Sequence, residues 1–311
     1  MKKKRVLVKL EGHRDSVLTV FMAQNLGSAI NSHGFEYGVK HFNNPKSGSI
    51  SALVQEILEM DLETIKSLIA LGAIYIDHKR QLEDIIVPEN SLFRVHTKPR
   101  RHVTDYPWND LIVYEDSSFL VLNKPSGIPS HAAVDNIVDN SLYQLEVAGN
   151  RKLMITHRLD TLTEGLIVYG KTKYFVSAFN NLIQNRLIQK KYVALVETTS
   201  VLPKKLIHYM ETSLRAPKKV TEYFQEKSAL CELDIEKQII GSDSSWIKIN
   251  LMTGRTHQIR AQTSAMQAPI CGDVLYGSKT TWPKNGIALR ACEIGFTWND
   301  KTYEFKLPEQ F

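Results

Sequence analysis

The clearest periodicity in the chain begins at residue 50. Ile50, Leu53, Val54, Ile57 and Leu58 recur at helical spacing. A second helix follows, with Ile65, Leu68 and Ile69 on its apolar face, Asp61 placed to cap it and Gly72 to stop it. Next, "AIYID" alternates like a strand, "HKRQ" reads as a turn, and "LFRVH" (92–96) is a second short strand. Two helices and a hairpin make one small module over 50–96. Ahead of it, "RVLVKL" is strand-like and "NNPKSGSIS" (43–51) loop-like, but 1–49 as a whole carries no consistent pattern. "TKPRRHVTDYPWND" (97–110) has two prolines, a basic cluster and no apolar period, which marks 97–108 as a linker. From 109 to 311 the texture is that of a larger domain. "LIVYEDSSFLVLNKPSGIPSH" (111–131) predicts strand, acidic turn, strand and a stiff loop, and "GLIVYGKT" predicts a buried strand running into a loop. "YFVSAFNNLIQNRL" (174–187) predicts a helix with Phe175, Phe179, Leu182, Ile183 and Leu187 on one face. "KYVALVE", "SSWIKINLM" and "YEFKLP" predict strands, and "THQIRAQTSAM" a helix. Strands without regularly alternating helices favour a mixed, mainly antiparallel sheet, and thus an α+β fold.

Composition narrows the classes. The 311 residues are 43% hydrophobic and 23% charged, as in ordinary globular proteins, which excludes a disordered chain. Lys and Arg outnumber Asp and Glu by 39 to 33, a net +6 compatible with a polyanionic partner. The three cysteines are scattered, with no CxxC pair, which speaks against a disulfide framework and a zinc site. The basic start is not followed by an apolar run, and no apolar stretch approaches the ~18 residues of a membrane helix. A cytoplasmic protein, monomeric and without a membrane partner, is expected.

"THRLDTLTEG" (156–165) sets His157, Arg158 and Asp160 immediately before the buried strand. A loop aspartate is usually a cap or turn residue. Three further segments alter that reading. "LNKPSGIPSH" ends a strand at Lys124; "KKYVALVE" sets Lys190 and Lys191 before Tyr192; "TGRTHQIRAQ" crowds Arg255, His257 and Arg260 together. Among the residues named here Asp160 is the one carboxylate, beside many cations and one aromatic. A carboxylate facing an arginine stays ionised and can act as nucleophile or base. The cations suit a substrate rich in phosphates, and the ring offers a stacking surface for a nucleobase.

In their order these segments resemble the motifs of the RluA-type pseudouridine synthases. "HRLDTLTEGL" is similar to the family's HRLD-x-x-T-[ST]-G-L motif, "VYEDSSFLVLNKPSGIPSH" to the motif before it and "KKYVALV" to its K-x-Y-x-A-L-V strand. "TGRTHQIRAQTSAMQAPICGDVLYG" is similar to the family's G-R-T-H-Q-[IL]-R and P-I-x-G-D-x-x-Y-G segments. The resemblance spans about 109–311, and the 50–96 module resembles a small RNA-binding domain found at the front of RNA-modifying enzymes. It implies a catalytic domain with a central cleft in which Asp160 is the catalytic aspartate, Tyr192 packs on the target base and Arg260 pairs with Asp160. Arg158 enters the RNA helix as the uridine leaves. Lys124, Arg255, His257, Lys190 and Lys191 complete the RNA-facing set, with His157 its weakest member and equally readable as a structural histidine. The implied reaction turns uridine into pseudouridine in ribosomal RNA, foremost of the large subunit, or in transfer RNA, with no cofactor and no metal. Two positions depart: Glu164 stands at a usual Ser or Thr, and "AQTSAMQ" replaces a V-H-x-A-x-x-G run. Other classes find less support. A serine hydrolase wants a G-x-S-x-G elbow, absent here; a metal nuclease wants several clustered acids; a non-catalytic RNA binder has no need of both Asp160 and Tyr192.

Overall fold

The computed structural model describes residues 6–9, 17–20, 38–213, 216–283 and 286–310. Most of the 1–49 segment therefore lies outside the described residues. The chain divides into two compact units, residues 1–104 with 131–151 and residues 105–130 with 152–311.

In the first unit, β1 (Val6–Lys9) pairs antiparallel with β2 (Val17–Val20), which places a strand within "RVLVKL". Then come β3 (Val39–Asn43), β4 (Gly48–Ser49), α1 (Ile50–Leu58), α2 (Leu62–Ala70), β5 (Ile74–Ile76), β6 (Lys79–Gln81), β7 (Ile86–Val87) and β8 (Leu92–His96). Both helices start where short polar side chains satisfy free backbone N–H groups. Ser49 accepts from Ala52 N, and Asp61 accepts from Thr64 N at 2.8 Å. Ile50, Leu53 and Val54 of α1 and Ile65, Leu68 and Ile69 of α2 bury against Ile74, Ile76, Phe93 and Val95 of a four-stranded sheet ordered β3-β8-β5-β6. The "HKRQ" turn is shorter than its polarity suggests. Asp77 and His78 turn at positive φ, and Lys79–Gln81 already pair with β5 as the sheet's edge strand. An edge strand with one exposed side can be polar throughout.

The chain passes into the second unit through β9 (Ile112–Glu115) and β10 (Phe119–Lys124), then returns to the first unit over residues 131–151, which contain α3 (Ser141–Gly149). There Ile137, Val138 and Tyr143 join the apolar cluster of α1 and α2. Asp135 accepts Arg100 Nη2 at 2.7 Å, and Asp139 accepts Arg101 Nε at 2.7 Å. The stretch expected to be a linker is thus pinned, at least to residue 104, and the larger unit is not continuous from 109. Sequence patterning misses this because the acids lie 35 and 38 positions downstream of their arginines.

The second unit resumes with β11 (Met154–Ile155), β12 (Glu164–Gly170), α4 (Lys173–Gln184), β13 (Gln189–Val196), β14 (Lys205–Met210), β15 (Val220–Thr221), β16 (Ala229–Ile240), β17 (Ser245–Leu251), α5 (Gln258–Ala265), β18 (Leu289–Trp298) and β19 (Lys301–Lys306). The described residues form an eleven-stranded sheet ordered β15-β14-β16-β17-β13-β18-β12-β10-β9, with β11 on β12 and β19 on β18. Every pairing is antiparallel except β12 with β18. The α+β class with a mainly antiparallel sheet is therefore as expected. Phe175 and Phe179 of α4 pack with Phe119, Val121, Leu166, Val168 and Phe296 of the sheet. Leu187 lies beyond the end of α4 and is exposed. The parallel contact hinges on Gly165. Its φ is +109°, and a Cβ there would lie 2.3 Å from the Ala291 carbonyl oxygen, so only glycine lets β12 meet β18 beside the Asp160 loop.

Candidate active site

Asp160 sits in the loop between β11 and β12, and the "NKPSGIPS" loop after β10 clasps it. Ser126 Oγ donates to Leu162 O at 2.6 Å, and Gly127 N donates to Thr161 O at 2.9 Å. Ser130 Oγ donates to Leu159 O at 2.8 Å and accepts from Leu159 N at 3.1 Å. Tyr169 on β12 donates to Ser130 O at 2.8 Å. Two irregular segments whose backbone polar groups would otherwise want water satisfy one another, and this holds Asp160 in place.

Lys124, expected to face RNA, lies inside that clasp with no exposed surface. Its Nζ donates to Pro125 O and Ile128 O at 2.8 Å each and to Thr161 O at 3.4 Å. Burial pushes its pKa down to about 7, against the opposing pull of Asp160 and Glu164. Lysines with buried, occupied donors do not meet a phosphate, so Lys124 is a brace for the Asp160 loop. His157 is a second correction. Its Nε2 accepts from Val168 N at 3.0 Å, and its ring lies along Phe179, centroids 5.9 Å apart. Burial, then Lys190, hold its pKa far below the ordinary histidine value. It pegs the loop to β12 and α4. Lys191 is a third: it faces away from Tyr192 on the alternating strand β13 and pairs with Glu236 at 2.9 Å. Lys190 shares the Tyr192 face and is half-buried, while Arg158 and Arg255 are exposed.

Two predicted residues do approach Asp160. Arg260 Nη1 lies 3.5 Å from Asp160 Oδ2, and His257 Nε2 lies 3.9 Å from the same oxygen. Tyr192 is buried on β13 opposite Ile249 and Ala291, and its phenol pKa is raised by burial first and by the Asp160 charge second. Arg260 is not Asp160's alone. Its Nε and Nη2 donate to Asp273 at 2.6 and 2.8 Å, a bidentate pair buried on both sides. The guanidinium also lies 4.8 Å from the Tyr276 ring centre, and Tyr276 Oη is 3.0 Å from His257 Nδ1. Asp273 and Tyr276 stand in the "PICGDVLYG" run, but nothing in the sequence tells which cation they serve. The unusual Glu164 has a partner: Arg290 Nε donates to it at 2.7 Å across the parallel β12–β18 contact. Among the described residues no three His, Cys, Asp or Glu side chains are grouped to hold a metal ion, and no helix is long and apolar enough to cross a membrane.

The mainly antiparallel sheet has the fold of solved pseudouridylate synthase domains. The human RNA pseudouridylate synthase domain containing 1 superposes with a TM-score of 0.52 at 23% identity, over 63% of this chain and 82% of the human one, a likeness of fold. Residues 118–265 match the family described as RNA pseudouridylate synthase. Among curated relatives, the chloroplastic RNA pseudouridine synthase 6 of Arabidopsis thaliana is 34% identical over 208 residues, 59% of this chain and 44% of the relative. Ribosomal large subunit pseudouridine synthase C of Buchnera aphidicola is 27% identical over 269 residues, 78% of this chain and 83% of the relative. The chain thus spans less than half the length of the plant relative and most of the bacterial one.

Proposed function

We propose that this chain is an RNA pseudouridine synthase in which Asp160 is the reacting carboxylate. The observation that carries the reading is the approach of Arg260 and His257 to one oxygen of Asp160 inside the region of the family match. The isomerisation breaks the bond between uracil N1 and ribose C1′, turns the base, and joins C5 to C1′. The C5 proton is lost and N1 gains one, so the change is redox-neutral and asks for no cofactor. Asp160, facing Arg260, attacks C1′ or removes a ribose proton. Tyr192 packs on the base. The uridine must leave its helix first, and exposed Arg158, two residues from Asp160, enters the space it vacates. Half-buried Lys190 and exposed Arg255 contact phosphates.

Asp160→Asn keeps the side chain's size and deletes its charge. Tritium release from RNA carrying 5-tritiated uridine should vanish while the melting temperature stays near the parent's. Near-normal turnover in that variant would remove Asp160 from the chemistry. The names of the bacterial relatives favour large-subunit ribosomal RNA as substrate. Mapping pseudouridines in cellular RNA with and without the protein decides it: loss of a large-subunit site supports this choice, and loss of a transfer-RNA site replaces it.

A further inference from the structure

The segment Asp273–Tyr276 has no part in the chemistry described above, yet it contacts both groups that approach Asp160. Asp273, fully buried, takes Nε and Nη2 of Arg260 and so leaves Nη1 as the donor aimed at Asp160. Tyr276 acts on the histidine. Its hydroxyl accepts the backbone N–H of Lys218 at 2.7 Å and lies 3.0 Å from His257 Nδ1. A phenol has one hydrogen to give. With Lys218 on its acceptor side, the hydroxyl is placed to give that hydrogen to Nδ1, which makes Nδ1 the acceptor nitrogen of the ring in the arrangement proposed below. A neutral imidazole then carries its own hydrogen on Nε2. That nitrogen is the one 3.9 Å from Asp160 Oδ2. His257 is kept neutral chiefly by burial. Around it Asp160 and Asp273 favour protonation, and Arg260 and Lys218 oppose it. His257 itself holds φ +58° at the start of α5, a backbone conformation that only a firm set of contacts sustains in a non-glycine residue.

We propose that Asp273 and Tyr276 are positioning residues: they turn Arg260 Nη1 and His257 Nε2–H toward one oxygen of Asp160, Oδ2, and leave Oδ1 to meet the ribose. This rests on Asp160 being the reacting carboxylate. The arrangement explains why the Arg260–Asp160 contact is long while the Arg260–Asp273 pair is short: the arginine is fixed by the buried acid and offered to the reacting one.

The test uses the full chain labelled with nitrogen-15 at histidine, with the His257 signal assigned through His257→Gln. The expected spectrum shows Nδ1 as an unprotonated acceptor and Nε2 carrying the hydrogen. Tyr276→Phe keeps the ring beneath Arg260 and removes only the hydroxyl. It should abolish the single tautomer and lower kcat about tenfold, the scale of one lost hydrogen bond, with KM for RNA unchanged. Asp273→Asn should likewise lower kcat without raising KM. A wild-type spectrum with the hydrogen on Nδ1, or a Tyr276→Phe enzyme of undiminished kcat, would overturn the proposal. The spectrum does not depend on the reaction. A chain that shows the expected tautomer but releases no tritium from any RNA would sink the synthase reading and still support the orienting role of Tyr276.

Discussion

Lys124 shows how far a side chain's type can mislead. A lysine at the end of a strand beside a Pro/Gly-rich loop reads as a phosphate ligand, yet it is buried and bonded to three carbonyls. Two of those bonds are 2.8 Å and the third 3.4 Å. This has a consequence for stability. In the unfolded chain Lys124 keeps its proton up to its ordinary value of 10.5, while in the fold it loses it near 7. Between those values the unfolded state binds more protons, so this residue makes stability rise as pH climbs through that window. Below the folded value the contribution is flat. Urea titrations of wild type and Lys124→Met at a series of pH values should show the difference between them growing above about pH 7; a constant difference would mean that the buried amine stays charged. Asp160, Arg260 and Tyr192 were legible in the sequence because motif order selected them. Asp273 and Tyr276 were not, because their partners are chosen by the approach of two segments and not by spacing.

At the scale of elements, patterning works where one face is wet and the other dry. α1, α2, α4 and β17 carry such a division, β10, β12 and β13 are apolar runs buried along most of their length, and all seven were anticipated. α3 has little segregation between its faces, and β14, β16 and β18 do not stand out from their flanks; none of these four was anticipated. The parallel contact of β12 with β18 was also hidden, since its two sides, Glu164 and Arg290, are 126 residues apart. Gly165 tests that contact. Gly165→Ala forces a methyl group against the Ala291 carbonyl at a φ that alanine avoids. It should destabilise the unit by about 2 kcal/mol or more, read from the urea midpoint, and should slow catalysis as the Asp160 loop loses its anchor. Wild-type stability in this variant would mean that β12 and β18 do not meet there.

For the whole molecule, the division into units changes which fragments can stand alone. A catalytic fragment starting near residue 100 seems natural from the Pro-rich stretch, but residues 131–151 pack Ile137, Val138 and Tyr143 into the core of the front unit. A fragment of residues 105–311 leaves those side chains without their partners. It should melt at a lower temperature than the full chain and bind a hydrophobic dye that the full chain ignores. If it melts cooperatively at the parent's temperature, the 131–151 segment does not depend on the front unit.

The interleaving also bears on the order in which the protein is made. A chain leaving the ribosome presents residues 1–104 first, but the front unit cannot complete its core until residues 131–151 have emerged. It is then ready to close before the Asp160 loop has emerged. The second sheet waits far longer: β12 and β13 both pair with β18, which begins only at Leu289. Through that interval β12 and β13 lack the partner that joins them, and the nascent chain carries an open sheet edge, the kind of surface that invites a holding chaperone or pairing with a neighbouring copy. A crowded polysome is therefore where this fold is most exposed, and slowing translation after residue 151 should lower the yield of soluble protein more than slowing it before.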